Sequence, residues 1–114
     1  MARTLLNAAV ATGAGSSFYT GSIPAMHTVQ ATMGILSGGT LATAVTVDLE
    51  GSLDDTFWQA LDSHTFTAGE ITAEGAIWHI VNAPARYVRA NITTLTDTAT
   101  DPTVTVKYVQ ARRT

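Results

Sequence analysis

The sequence predicts an all-β fold, a single antiparallel β-sandwich or jelly-roll domain of about seven or eight strands. Three observations support this fold class. Apolar and polar residues alternate with a period of two in several segments, which is typical of strands that bury one face. Short clusters rich in glycine, serine, aspartate and asparagine separate these segments. Outside the beginning of the chain, no segment shows sustained helical periodicity.

Four segments alternate most clearly: residues 26–33, 43–50, 86–95 and 104–109. The side of each segment that carries the apolar residues is predicted to face the core, since a strand places successive side chains on opposite faces. The predicted inward residues are His27, Val29, Ala31 and Met33 in the first segment, Val45, Val47 and Leu49 in the second, Val88, Ala90 and Ile92 in the third, and Val104, Val106 and Tyr108 in the last.

The two tryptophans are predicted to complete the core, because a buried tryptophan commonly anchors a sandwich. A tryptophan exposed on a sheet face would instead stack on sugar rings. The predicted core anchors are Trp58, Trp78, Val45, Val47, Leu49, Val88, Ile92, Val104 and Val106.

Weaker strand candidates are residues 5–10, 17–20, 57–61 with 65–66, and 76–81. The first of these could also form a short helix, because alanine and leucine favour helices. Turns or loops are predicted at residues 13–17, 37–40, 51–55 and 82–84, and residues 96–102 form the longest polar loop.

The domain organisation predicted from the sequence has two parts. Residues 1–25 are small and weakly patterned, and three glycines interrupt them. They are predicted to form either an N-terminal arm that reaches a neighbouring subunit or an irregular first strand with a loop. Residues 26–114 are predicted to form the β-sandwich domain, without an internal repeat or an interdomain linker.

Composition excludes several classes of function. The chain has no cysteine, which rules out disulfides, thiolate metal ligands and thiol catalysis. The net charge is −3, so electrostatics favours neither nucleic acid nor an anionic membrane as a partner. No apolar run approaches the roughly 18 residues of a membrane span. The Arg112-Arg113 pair is too short for a nucleic-acid-binding arm.

Neither a metal site nor a cofactor site is predicted. The three histidines are His27, His64 and His79, and their spacing is not that of metal ligands, although His27 and His79 could approach each other across strands. Acidic residues cluster between 48 and 55, where a calcium site is the alternative to a turn. The EF-hand spacing is absent, so Asp54 and Asp55 are expected to stabilise a turn through hydrogen bonds to the backbone.

No catalytic motif occurs in the sequence, and the chain is predicted not to be an enzyme. No serine lies in a G-x-S-x-G motif, and the glycine pair at 38–39 is not followed by the lysine of a phosphate-binding loop. Two carboxylates alone do not make a glycosidase site. Arg86 and Arg89 flank Tyr87, where they form either a binding patch or ordinary strand surface.

Residues 45–61 resemble a hairpin found in phage virion β-sandwich proteins. In this hairpin a strand ends in Leu-Glu-Gly-Ser (49–52), a tight acidic turn follows, and a tryptophan precedes the next strand. Residues 82–92 resemble a later strand of these proteins, where Arg-Tyr-Val-Arg follows a short turn, and residues 104–108 fit their last strand. The hairpin also resembles those of discoidin-like and carbohydrate-binding sandwiches, although the turn at 54–56 lacks their glycine.

The resemblance implies a structural protein of a bacteriophage virion. The first expectation is a capsid decoration (cement) protein that stabilises the head by contacts across capsid subunits. Its expected partners are copies of itself, for example in a trimer, and the major capsid protein or other virion proteins. The alternatives are a neck, tail or baseplate component, and a carbohydrate-binding module for host adhesion. The residues expected to contact neighbouring subunits are Leu5, Leu6, Val10, Phe18, Tyr19, Arg112 and Arg113.

Overall fold

The computed structural model describes residues 3–9, 12–20, 26–35, 44–81, 83–96 and 102–111. These residues form nine strands and one short helix. In chain order the elements are β1 (Arg3–Ala9), β2 (Gly13–Ala14), β3 (Phe18–Tyr19), β4 (Met26–Ile35), β5 (Ala44–Ser52), β6 (Gln59–Thr65), α1 (Ala68–Ala73), β7 (Gly75–Val81), β8 (Tyr87–Thr96) and β9 (Pro102–Ala111).

The strands form two antiparallel sheets packed face to face. The first sheet has the order β1-β9-β4-β7, and the second has the order β2-β8-β5-β6, with β3 also paired to β8. The longest ladders join β4 to β9 and β5 to β8, at the centre of each sheet. The predicted β-sandwich is therefore confirmed, with two of its nine strands only two residues long.

Alternating side chains of the central strands build the core, as the period-two pattern predicts. Burial of such apolar side chains is the dominant favourable term in folding. All inward residues predicted for the four clearest segments are buried, and Trp78 joins them from β7. The buried apolar residues are Leu5, Val29, Ala31, Met33, Val45, Val47, Leu49, Phe66, Trp78, Ile80, Ala85, Val88, Ala90, Ile92, Val104, Val106 and Tyr108.

Trp58 lies outside this core, so its prediction as a core anchor is wrong. The side chain is half-buried and stands just before β6. The guanidinium carbon of Arg89 lies 4.4 Å from the centroid of the indole ring. Arg89 alternates with the buried Val88 and Ala90 on β8 and therefore faces away from the core. A cation–π contact on the outer face of the sheet thus replaces the expected burial.

Residues 1–25 contribute to both sheets as far as the structure describes them. β1 pairs with β9, and β2 and β3 pair with β8. The helix considered for residues 5–10 is wrong for the described part, because residues 3–9 are a strand. Leu5 is buried in the core of its own chain, so it is unavailable as the intersubunit contact that was expected.

The helix α1 was not predicted from the sequence. Thr67 caps it, since the Thr67 hydroxyl accepts a hydrogen bond from the Glu70 amide (3.2 Å) and the Glu70 carboxylate accepts one from the Thr67 amide (2.9 Å). This reciprocal pair is a capping box. The helix ends at Glu74, which adopts a left-handed conformation (φ 65°). Among the described residues, no helix is long and apolar enough to span a membrane.

Candidate functional site

The β5–β6 connection is a short loop held in one conformation by side-chain hydrogen bonds. Ser52 ends β5 and is buried. Its hydroxyl oxygen accepts hydrogen bonds from the backbone amides of Asp54 (3.2 Å) and Asp55 (2.9 Å), and the hydroxyl donates to the Asp54 carboxylate (3.0 Å). We call residues 53–57 the hairpin tip.

Asp54 organises the second half of the hairpin tip. Its Oδ1 accepts hydrogen bonds from the backbone amides of Thr56 and Phe57, each at 3.0 Å. These amides and the Ser52 hydroxyl lower the pKa of the Asp54 carboxyl, because they stabilise its charged form. Asp55 takes a left-handed conformation (φ 62°), which aspartate tolerates better than most residues. Asp54 thus has the turn-stabilising role that the sequence predicted.

The hairpin tip exposes two large apolar side chains. Leu53 and Phe57 are each 70% exposed. Beside them a cleft of about 370 Å³ is lined in part by Leu61, Pro84 and Ala85. The tip and cleft together form an apolar surface on a loop whose backbone is already ordered. Neither Leu53 nor Phe57 was predicted from the sequence as a functional residue. Two large apolar residues inside an acidic turn were the available signal.

The outer face of the second sheet carries a polar cluster beside Trp58. Glu50 on β5 accepts hydrogen bonds from Arg89 Nε (2.6 Å) and from Asn91 Nδ2 (3.0 Å), both on β8. Arg89 also covers one side of the Trp58 ring. Of the two alternatives stated for Arg86, Tyr87 and Arg89, ordinary strand surface fits Arg89 better, because Glu50 and Trp58 already engage its guanidinium.

The three histidines lie in different environments. His27 is fully buried, whereas His79 is exposed and contacts the Thr28 hydroxyl (3.0 Å). Consecutive residues of β4 face opposite sides, so His27 and His79 do not meet. His64 stacks on Trp78, with ring centroids 4.4 Å apart, and lies 3.0 Å from the Glu70 carboxylate. Within the described ranges, no group of histidine, aspartate and glutamate side chains is arranged to hold a metal ion.

His27 forms a buried polar pair with Tyr108. Its Nε2 lies 2.7 Å from the carbonyl oxygen of Ala83, which can only accept, so Nε2 must carry the proton. Nδ1 then accepts a hydrogen bond from the Tyr108 hydroxyl at 2.5 Å. Burial lowers the pKa of the imidazole and raises that of the Tyr108 phenol, so both groups stay neutral. The pair joins β4 to β9 inside the core and has a structural role.

Acidification is expected to destabilise the protein through His27. The unfolded chain takes up a proton near the usual histidine pKa of 6.5, whereas the folded chain takes it up only at lower pH. The unfolded state therefore binds more protons in this interval, and the free energy of unfolding falls as pH falls below 6.5. Urea unfolding between pH 7 and 5 checks this prediction. The His27→Gln variant should show a flatter dependence, and equal slopes for the two proteins would contradict the account.

The other residues expected to contact neighbouring subunits lie around β1 and β3. Leu6 and Phe18 are half-buried against the core, and Phe18 also contacts Tyr108 edge to face. Tyr19 is exposed and pairs with Tyr87, with ring centroids 5.1 Å apart. Tyr19 is thus the most accessible member of this set within the described residues. Val10, Arg112 and Arg113 lie outside the described residues.

Comparison with known proteins gives a likeness at the level of the fold. No family model matches the chain, and no curated protein matches it in sequence. The chain is similar to the crystal structure of the SPBc2 prophage-derived protein YomS, with a TM-score of 0.57 and 16% sequence identity. The match covers 96% of this chain and 90% of that one. The described sandwich is therefore a fold that a prophage-derived protein also adopts.

Proposed function

We propose that this chain is a non-enzymatic structural protein of a bacteriophage or prophage particle, and that its hairpin tip binds a neighbouring protein of that particle. One observation carries the proposal: the tip holds Leu53 and Phe57 in water on a loop fixed by hydrogen bonds. The fold shared with a prophage-derived protein supports the phage context. The resemblance of residues 45–110 to virion sandwiches supports it independently.

The tip suits binding for two physical reasons. Transferring one large apolar side chain from water to a protein interior contributes roughly 1.5–3 kcal/mol, so Leu53 and Phe57 offer a useful part of an interface. Their backbone is already ordered by Ser52 and Asp54, which reduces the conformational entropy lost on association. Contiguous exposed apolar patches are typical of surfaces that a partner covers, and Leu53 and Phe57 both line the cleft beside the tip.

Within the particle, we place the chain first as a capsid decoration protein. Contacts of modest strength stabilise a shell when they are repeated over a closed lattice, because each bound copy is held at several points. The proposed partners are the major capsid protein and other copies of this chain. A neck, tail or baseplate component would bind its neighbour through the same hairpin tip. It would differ from a decoration protein in the number of copies per particle.

The test is the occupancy of particles by a tip variant. We expect the double substitution Leu53→Ser and Phe57→Ser to weaken the dissociation constant for particles at least about tenfold, which corresponds to about 1.4 kcal/mol of lost binding free energy; the constant is obtained from the copies bound per particle at increasing protein concentration. Val109→Ser is the matched control, since it removes an exposed apolar side chain from the other sheet. Circular dichroism checks that both variants fold. Unchanged occupancy of the tip variant would contradict the proposed role of the tip.

A second candidate function is glycan binding for host adhesion. It is favoured by one observation, the half-buried Trp58 beside the polar side chains of Glu50, Arg89 and Asn91. Arg89 covers one face of the indole ring, so a sugar would have to stack on the other face or displace the guanidinium. Titration of tryptophan fluorescence with host glycans tests this. A saturable change that Trp58→Phe abolishes would support it, and no change in the intact chain would exclude it for those glycans.

A further inference from the structure

The strands at the edges of the two sheets differ in how they are protected. An edge strand exposes unpaired backbone groups, and proteins usually protect it with charges, prolines, bulges or shortness. β1 carries Arg3 and two register shifts against β9. β6 carries Asp62 and a register shift against β5. β2 and β3 have two residues each.

β7 lacks charges, prolines and bulges and is not short, although the helix α1, which directly precedes it, packs against it. Its seven residues, Gly75–Val81, pair with β4 without a register shift and include neither an Asp, Glu, Lys or Arg nor a proline. Within the described part of the chain, β7 pairs with β4 alone. Its outward side chains include Ile77 and Val81, which are 60% and 59% exposed. β7 is therefore a regular, uncharged and apolar edge.

The end of β7 has an approximately palindromic pattern centred on His79. Ile77 and Val81 are exposed, β-branched and equally distant from His79. Trp78 and Ile80 flank it directly, and both are buried apolar residues. An antiparallel pair related by a two-fold axis at His79 would place Ile77 opposite Val81 of the second copy, and Trp78 opposite its Ile80. On each face of the paired strands, apolar side chains of one copy would then lie opposite apolar side chains of the other copy.

We propose that this chain forms a two-fold dimer in which β7 pairs with β7 of a second copy. The first sheets of the two copies then join into one continuous eight-stranded sheet. The palindrome favours a second copy over an unrelated partner, because a two-fold interface requires a surface that complements itself. The adjacent strand β4 adds no like-charge repulsion, since its sequence contains no Asp, Glu, Lys or Arg. Backbone hydrogen bonds would supply the pairing, and the exposed β-branched side chains would pack across it.

Sedimentation of the purified intact chain tests the dimer. We expect a concentration-dependent dimer for the unmodified chain. The double substitution Ile77→Lys and Val81→Lys should weaken the dissociation constant at least tenfold, because four lysines would then meet at the two-fold axis. Asn7→Lys is the matched control, since Asn7 is exposed on β1, the opposite edge of the same sheet. Melting temperatures check that the variants fold.

Hydrogen exchange of the backbone amides at 77–81 locates the interface. Protection in these amides should increase with protein concentration in the unmodified chain and should not increase in the lysine variant. A chain that stays monomeric at about 100 µM, well above a micromolar dissociation constant, would overturn the proposal. A dimer that survives both lysines would also overturn it.

The dimer specifies one of the contacts between copies of this chain that the proposed function includes, and its failure can be recognised separately from failure of the particle role. The hairpin-tip variant keeps β7 intact and should remain dimeric. A monomeric chain that still occupies particles would reject only the dimer. A dimeric chain that is absent from particles would reject only the particle role.

Discussion

The Tyr108→Ala variant is expected to lose about 3–5 kcal/mol of its free energy of unfolding. Tyr108 is a large, fully buried side chain on the central strand β9, and it packs between His27 and Phe18. Its removal leaves a cavity in the core. It also leaves His27 Nδ1 without its hydrogen-bond donor in a place that water does not reach.

The Tyr108→Phe variant separates the hydroxyl from the ring. This variant keeps the packing of the ring and leaves only the imidazole Nδ1 of His27 without a hydrogen-bond donor. We therefore expect a smaller loss of unfolding free energy, about 1–3 kcal/mol. Urea unfolding of both variants measures the two contributions. Tyr19→Ala is the matched control. Because Tyr19 is exposed, its removal should lower the free energy of unfolding far less than the removal of Tyr108. A Tyr108→Phe variant as stable as the unmodified protein would contradict the hydrogen bond assigned to the buried pair.

The Gly51→Ala variant is expected to lose about 1–3 kcal/mol, because added atoms in a packed site force neighbouring groups to move. Gly51 precedes Ser52 at the end of β5 and is buried. A β-carbon at this position would lie 2.9 Å from the β-carbon of Ala85 and 2.9 Å from Leu61 Cδ1. Ala85 is itself buried, and its β-carbon cannot rotate away.

Gly69→Ala makes the same chemical change with the opposite expected sign. Gly69 lies inside α1, and the nearest atom to an added β-carbon is the Thr67 hydroxyl oxygen at 3.9 Å. Alanine is favoured over glycine in a helix by roughly 0.5–1 kcal/mol, so this variant should be more stable. Thermal unfolding of both variants gives the comparison. Equal effects of the two substitutions would contradict the packing described around Gly51.

The central strands could be predicted from the sequence because each buries one complete face. β4, β5, β8 and β9 keep a strict alternation over most of their length, and this alternation is a direct consequence of the pleat. β6 was predicted only in fragments. Its Leu61 and Asp62 are both half-buried where the register shifts, so the period of two is lost there. The six residues of α1 are too few to show a helical period.

The candidate site was less predictable because it depends on contacts between distant residues. Tryptophan is usually buried, so the sequence predicted that Trp58 lies in the core. Its place on the outer face is explained by its contact with Arg89, which lies 31 positions later in the chain. The turn role of Asp54 could be predicted from local chemistry. The exposure of Leu53 and Phe57 could not, since it depends on how Ser52 and Asp54 fold the tip away from the core.

Counting the copies of this chain in purified particles tests the proposed function most directly. Quantitative mass spectrometry of particles from the phage or prophage that encodes it would give the ratio to the major capsid protein. We expect a ratio near one or a simple fraction of it, as for a protein that covers the capsid lattice. A few to a few dozen copies would reject decoration in favour of the neck, tail or baseplate. Complete absence from the particles would contradict the structural role.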